Sequence, residues 1–478
     1  MSAEIEKHGY EVDATESIDD KLQLHKLNDF HALENLEKYR EIKRGLNARH
    51  VNLMIIGSSI GTGLFIGLSG PLVSSGSLSL LIGFIIWSAL VVWPLMQCVA
   101  EMCSWLPIKG SLFHYASRFC DPALGFTASW IYCYTAMMFV CVEAVAVAGT
   151  ILYWTDINPA VWITLSLVAM FLVNVCAVKY FGESEFFISM LKVVLIVGLM
   201  LFTLVTMCGG NPKGDKYGFR HWSEGGLTKQ YLVDGTTGKF LGVWKVMVYA
   251  AFAVGGPDTL CFISGEIIQP RTNIPMAGRR SYIRLLLFYL GGIFFMNSLC
   301  ASNNAELLQA QAEGKAGAGS SPWVIGIRSV GVHGLDSLVN AGIMMSAWSC
   351  GNAFAYTATR GLYSAALAGF APKFLATCLP NGAPVFCVTA SILVGCLGYL
   401  SISNTTATVF NWFINLATTG LLCTYLVMFL CYFQFRRGLK AQGFVVGDLY
   451  YTAPFNCQPY ISYVGCFLVC VTLIFNGF

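Results

Sequence analysis

Apolar positions in this chain run in long blocks, without the spacing of an amphipathic helix or strand. Polar interruptions separate eleven blocks: residues 51 to 74, 78 to 98, 123 to 150, 160 to 178, 186 to 208, 243 to 265, 282 to 301, 336 to 357, 384 to 401, 407 to 433 and 459 to 478. A helix of about 18 or more apolar residues crosses a hydrocarbon core roughly 30 Å thick. The predicted fold class is therefore an all-α polytopic membrane protein embedded in a lipid bilayer. Residues 1–50 are polar, mix acids with bases and lack the apolar core of a signal peptide. They read as a disordered cytoplasmic tail, with span 1 directing insertion. Residues 303 to 321, rich in Ala, Gly, Ser and Gln, predict a flexible exterior loop.

Two spans are interrupted. Span 1 carries Gly57-Ser58-Ser59-Ile60-Gly61-Thr62-Gly63 in the middle of its apolar run. Each glycine is about 1 kcal/mol worse than alanine inside a helix, and unwound backbone at membrane depth is tolerated only where it is buried or lines a cavity. Freed amides there would face an anion, most simply a carboxylate. The competing reading makes Gly57-x-x-x-Gly61 and Gly63-x-x-x-Gly67 close-packing seams between helices. Span 6 carries Ala253-Val254-Gly255-Gly256-Pro257-Asp258-Thr259. Pro257 removes an amide donor, Asp258 is ionisable at membrane depth, and freed carbonyls would suit an ammonium group. The alternative is a proline kink with Asp258 capping the second half-helix. Two broken segments five spans apart point to an inverted-repeat transporter.

Charge sets the orientation. Lys43, Arg44 and Arg49 precede span 1, and basic residues recur in alternate loops, among them Lys109, Lys179, Arg271, Arg360 and Arg436, while the loops after spans 3 and 9 have none. The positive-inside rule places the N-terminus in the cytoplasm. The loop from 209 to 242 holds five Lys or Arg and is placed outside because its neighbours outvote it. Two further charges lie inside spans: Glu143 deep in span 3 and Lys192 early in span 5. Either would carry a proton if desolvation moved it toward neutrality. Snorkelling is the alternative for Lys192, and a hydrogen-bonded structural pair is the alternative for Glu143.

Composition excludes several classes. The chain is 56% hydrophobic and 12% charged, against about 25% charged in soluble domains. A net charge of +3 spread among apolar spans does not suit nucleic-acid binding. Most of the eighteen cysteines sit singly in apolar runs and read as packing residues, and none has metal-ligand spacing. No nucleophile with a paired base and no phosphate loop appears, so an enzyme is not expected.

The motifs carry a resemblance. Gly45-Leu46-Asn47-Ala48-Arg49-His50 leading into Ile60-Gly61-Thr62-Gly63-Leu64-Phe65-Ile66-Gly67, with Arg118-Phe119-Cys120-Asp121-Pro122, Val178-Lys179-Tyr180-Phe181-Gly182-Glu183-Ser184-Glu185-Phe186, Gly218-Phe219-Arg220-His221-Trp222 and Ala371-Pro372-Lys373-Phe374, resembles the fungal amino-acid permeases of the amino acid/polyamine/organocation superfamily. The match runs from about residue 45 to 478, and its ordered motifs are specific. Stretches such as Val178 to Lys192 look most like dicarboxylic or general amino-acid permeases, yet apart from Lys192 no basic residue lies well inside a span to pair a second carboxylate. Neutral or broad specificity is equally expected.

The resemblance implies a leucine-transporter-like fold with five-plus-five inverted repeats. The first would cover about 51–208 and the second about 243–433, with an extra span at 459–478. It implies import of L-amino acids with protons across the plasma membrane, the proton being the coupling ion and no other cofactor being needed. Carried over residue by residue, amides around Ser58, Ser59, Gly61, Thr62 and Gly63 would hold the substrate carboxylate. Carbonyls near Phe252, Ala253 and Gly255 would take its ammonium group, with Phe252 closing the site and Asp258 beside it. Lys192 would stand where related transporters bind sodium, and Glu143 would join it in proton coupling. Lys7, Lys21 and Lys26 in the tail are candidate ubiquitin acceptors, with ligase adaptors as partners. Three departures stand out: Gly256-Pro257-Asp258 in place of Gly-Thr/Ser-Glu, Gly57-Ser58-Ser59 in place of a Gly-Gly run, and no twelfth span. They keep open a non-transporting amino-acid sensor or an inactive truncated permease.

Overall fold

The computed structural model describes residues 57, 59–108, 110–176, 178–264, 267, 269–313, 318–332, 334–379, 382–402, 406–444, 449–454 and 457–476. The tail with Lys7, Lys21 and Lys26, and Ser58 of the span 1 interruption, lie outside these residues.

The fold is all-helical. In chain order its principal helices are α1 Thr62–Phe65, α2 Ser69–Ser75, α3 Ser77–Trp87, α4 Trp93–Trp105, α5 Pro122–Ile151, α6 Pro159–Val175, α7 Val178–Met207, α8 Thr236–Ala253, α9 Pro257–Ile263 and α10 Pro270–Leu299. Then come α11 Ala305–Ala312, α12 Pro322–Val330, α13 Leu335–Leu367, α14 Val385–Gly395, α15 Thr406–Ala441 and α16 Tyr460–Ile474. Among the described residues, seven helices are long and apolar enough to cross a membrane by length and composition, and three shorter ones are apolar. The 33-residue α13 accounts for the remaining expected run. Several helices extend past the apolar blocks: α7 begins at Val178 and α10 at Pro270, where polar but helix-compatible residues add turns.

Position in the bundle follows composition. In α5, whose side chains are mostly small or unbranched, 89% of the apolar window is buried, and α13 and α15 pack against it. Gly351 of α13 makes that approach possible, because a Cβ there would lie 3.0 Å from the Cβ of Glu143. In the apolar window of α7 only 28% is buried. Its exposed Phe187, Val194, Leu201 and Val205 form an apolar stripe that in water would be a liability and in lipid is the ordinary surface.

Residues 303–313 and 318–321, the described part of the expected flexible loop, correct that expectation. Asn304 caps α11, its Oδ1 accepting from the amides of Glu306 at 3.0 Å and Leu307 at 3.3 Å. The Ala-Glu-Leu-Leu-Gln-Ala-Gln-Ala that reads as low complexity is a run of strong helix formers. The loop from 209 to 242 is also tied down. Lys229 Nζ donates to the carbonyls of Val73 at 3.0 Å and Ser302 at 2.9 Å, and burial draws its ammonium below the usual lysine range.

Candidate functional site

Both predicted interruptions are present. Span 1 is helical at Gly57 and Ser59, bends at Ile60 and Gly61, and resumes at α1. In span 6, α8 stops at Ala253 and α9 starts at Pro257, leaving Val254, Gly255 and Gly256 non-helical. Gly256 takes φ of 131°, a conformation that side chains rarely adopt, and Pro257 follows at the first helical position, where its missing amide costs nothing. Asp258 folds back so that its Oδ1 accepts from the Gly256 amide at 3.2 Å. The N-cap is thus Gly256 and not Asp258, which lies in the first turn, holds the Gly256 amide with its side chain and also faces a cavity.

That cavity is where the two breaks meet. Span 1 contributes Ser59, Gly61 and Gly63, and span 6 contributes Phe252, Ala253, Gly255, Gly256, Asp258 and Thr259. The remaining wall is Phe139 and Glu143 of α5, Cys350 and Phe354 of α13, and Leu421 of α15. The cavity between these walls is narrow, about 20 Å³. Gly61 has no room for a side chain, since a Cβ would lie 2.6 Å from both Cys350 Sγ and Glu143 Oε1. Tyrosines on the flanking helices hold the broken ends together. Tyr289 of α10 reaches the carbonyls of Ser59 and Ala253, each at 2.5 Å, and Tyr249 of α8 donates to the Gly63 carbonyl at 2.8 Å. Phe139 stacks between Phe252 at 5.4 Å and Phe354 at 4.1 Å between ring centroids, an aromatic stack drawn from spans 3, 6 and 8.

Two of the predicted residues hold span 1 through their side chains. Thr62 does not line the cavity; its Oγ1 donates to Glu143 Oε1 at 3.1 Å. Lys192 does not snorkel. It is 1% exposed, and its Nζ donates to the carbonyl of Gly57 at 2.5 Å, at the N-terminal edge of the span 1 break. Glu143 and Lys192 thus grip span 1 on either side of its unwound segment.

Sequence reasoning missed Glu185. It precedes Lys192 by seven residues, two turns along the same face of α7. Its Oε1 accepts from Ser349 Oγ of α13 at 2.7 Å, and it is packed so tightly on Gly57 that a Cβ there would lie 2.5 Å from Oε1. The signal was available in that spacing and in the Gly182-Glu183-Ser184-Glu185 motif. Phe139, Phe354 and Leu421 were missed for another reason: nothing in an apolar run marks which phenylalanine faces a cavity.

Comparison with known proteins agrees with this architecture. Residues 50–478 match the family described as Amino acid permease. A proline-specific permease of Emericella nidulans is 37% identical over 446 residues, covering 93% of this chain and 80% of that protein. One of Saccharomyces cerevisiae is 38% identical over 447 residues, covering 92% of this chain and 70% of the relative. The dicarboxylic amino acid permease of Saccharomyces cerevisiae is 32% identical over 456 residues, covering 94% and 74%. The chain belongs to the amino acid permease family, and is a multi-pass membrane protein of amino-acid transport, not an enzyme.

Proposed function

We propose that this chain imports neutral amino acids with protons across the plasma membrane, by alternating access on a leucine-transporter-like frame. Its two inverted repeats cover about residues 51–208 and 243–433, the last span covers 459–478, and the N-terminus is cytoplasmic. The observation that carries this reading is that the broken ends of spans 1 and 6 share one buried cavity. Amides of Gly61 and Gly63, at the start of α1, lack acceptors within the helix and would take the substrate carboxylate, beside the Thr62 amide, which bonds Glu143. Ser58 and Ser59 belong to the same carboxylate-binding segment. Carbonyls at the end of α8, near Phe252, Ala253 and Gly255, take the ammonium group.

The walls favour a neutral side chain. None of the lining residues is basic, and Glu143 and Asp258 would repel a second carboxylate. Phe139, Phe252, Phe354 and Leu421 offer an apolar surface instead, in keeping with the proline-specific names of two relatives. Glu143 and Lys192 frame the coupling site: each holds span 1, so a proton gained or lost there shifts the balance between outward-open and inward-open states. Moving one net positive charge inward gains about 2.3 kcal/mol per 100 mV.

The test is uptake of a panel of labelled amino acids by cells lacking their own permeases, at acidic and neutral outside pH, with and without an uncoupler. Uptake of proline and other small neutral amino acids should exceed that of aspartate and lysine, rise with outside acidity and collapse with uncoupler. Preferential aspartate uptake would overturn the neutral reading, and binding without uptake would mark a sensor.

A further inference from the structure

The region around Gly57 holds more ionisable groups than one coupling lysine requires. Lys192 is the cation there, and two buried carboxyl groups feel its charge, Glu143 at 2% exposure and Glu185 at 1%. Glu143 uses Oε1 to accept from Thr62, and Glu185 uses Oε1 to accept from Ser349. Oε2 of each is buried without a hydrogen-bond partner. The helices packed around Glu185 add little charge. From α13 come the Ser349 hydroxyl and the Cys350 thiol, and from α7 itself Ser189 and Lys192. Helix α6 contains no titratable side chain. Helix α10 sends toward the cluster Tyr289, whose hydroxyl is engaged with Ser59 and Ala253.

One ammonium cannot offset two desolvated carboxylates. A buried ion is tolerated when it is paired and its polar atoms are bonded. The state of least uncompensated charge is one in which Lys192 is positive, one carboxyl is ionised and the other carries a proton. We propose that the coupled proton is carried by two buried carboxyls flanking the span 1 break, Glu143 at Gly61 and Glu185 at Gly57, one protonated at a time, while Lys192 keeps its charge throughout the cycle as a positioning residue that pins Gly57. The carboxyl pair takes up one proton from outside and releases one to the cytoplasm, and Lys192 Nζ keeps its three hydrogens. This assignment rests on the proton-coupled reading above and goes beyond it by naming the carrier and adding Glu185.

Uptake against outside pH, with and without uncoupler, decides the matter in the full-length wild type, Lys192→Arg and Glu185→Gln, normalised to protein at the cell surface. Coupling to one proton makes accumulation rise about tenfold per unit of outside acidification. Lys192→Arg, whose side chain does not lose its charge, should transport more slowly and keep that pH dependence. Glu185→Gln should lose it, while exchange of internal for external substrate persists at reduced rate. Glu185→Asp, should Glu185→Gln fail to reach the surface, should shift the pH midpoint. A flat profile in Lys192→Arg, or an unaltered profile in the Glu185 variants, overturns the assignment. A wild type indifferent to pH and uncoupler instead removes the proton-coupled reading itself, and this inference with it.

Discussion

The hydroxyl of Thr62 shows how a single side chain changes role once its neighbours are known. In sequence it belongs with the substrate-binding glycines, whereas in the fold its hydroxyl is spent on Glu143 of the cavity wall. Its removal would take one donor from a buried carboxyl whose Oε2 has none, leaving the Cys350 thiol and the Thr62 amide to hold it. Losing such a bond costs about 1–3 kcal/mol. Thr62→Val should therefore lower uptake roughly ten- to a hundredfold, and Thr62→Ser should restore most of it; uptake kinetics at matched surface expression check this. Equal loss in both variants would show that the methyl group, and not the hydroxyl, matters. Lys192 illustrates the converse. Its place inside an apolar run was plain from sequence, but whether it snorkels or turns inward depends on Gly57, which lies 135 positions away.

At the level of elements, the breaks were the most legible features because their causes are local. Glycine clusters and Pro257 disfavour helix whatever surrounds them, and the span 6 break lies within the predicted segment, trimmed to residues 254–256. Helix α11 was not legible in the same way, because an Ala- and Gln-rich stretch reads equally as linker or helix until a cap and a packing surface are supplied. Asn304 is that cap, and Ser321 anchors the far side by donating to the Phe65 carbonyl at 2.7 Å. The break in span 6 also makes a firm prediction. Gly256→Ala places a Cβ on a residue with φ of 131°, a strain of about 1–3 kcal/mol. The variant should show reduced thermal stability in detergent and little uptake, whereas Gly438→Ala, in the regular helix α15, should show neither effect.

For the whole molecule, the short helices α11 and α12 join parts of the bundle distant in sequence. Arg328 of α12 bonds Glu306 of α11 at 2.6 Å and Asp336 of α13 at 3.2 Å, and Tyr153, just after α5, donates to Asp336 at 2.6 Å. On the other side Gln311 donates to Ser69 Oγ of α2 at 2.8 Å. These ties hold α2, the half of span 1 after its break, against α5 and α13. Because Arg328 is partly exposed, the ion pairs are worth about 1 kcal/mol or less. Arg328→Ala should raise the rate at which a membrane-impermeant thiol reagent modifies Cys350, in the cavity wall, by up to about fivefold. Measurement by mass spectrometry of the labelled peptide checks this, and an unchanged rate would mean that the exterior is held closed elsewhere.

Hydrophobic run length, glycine and proline placement and motif order were sufficient for the membrane class, the family and the location of both broken spans. Each of those depends on neighbours along the chain, or on the bilayer as a uniform solvent. Which groups meet was decided by the fold alone. The stack of Phe139, Phe252 and Phe354, the bridge from Tyr289 to both broken ends, and the company of Glu185 and Glu143 around Lys192 bring together residues from spans 1, 3, 5, 6, 7 and 8. Inside an apolar span every face is equally hydrophobic, so no periodicity marks the side that looks inward. Only helix packing, set by small residues such as Gly351 and Gly61 where backbones approach, selects that side.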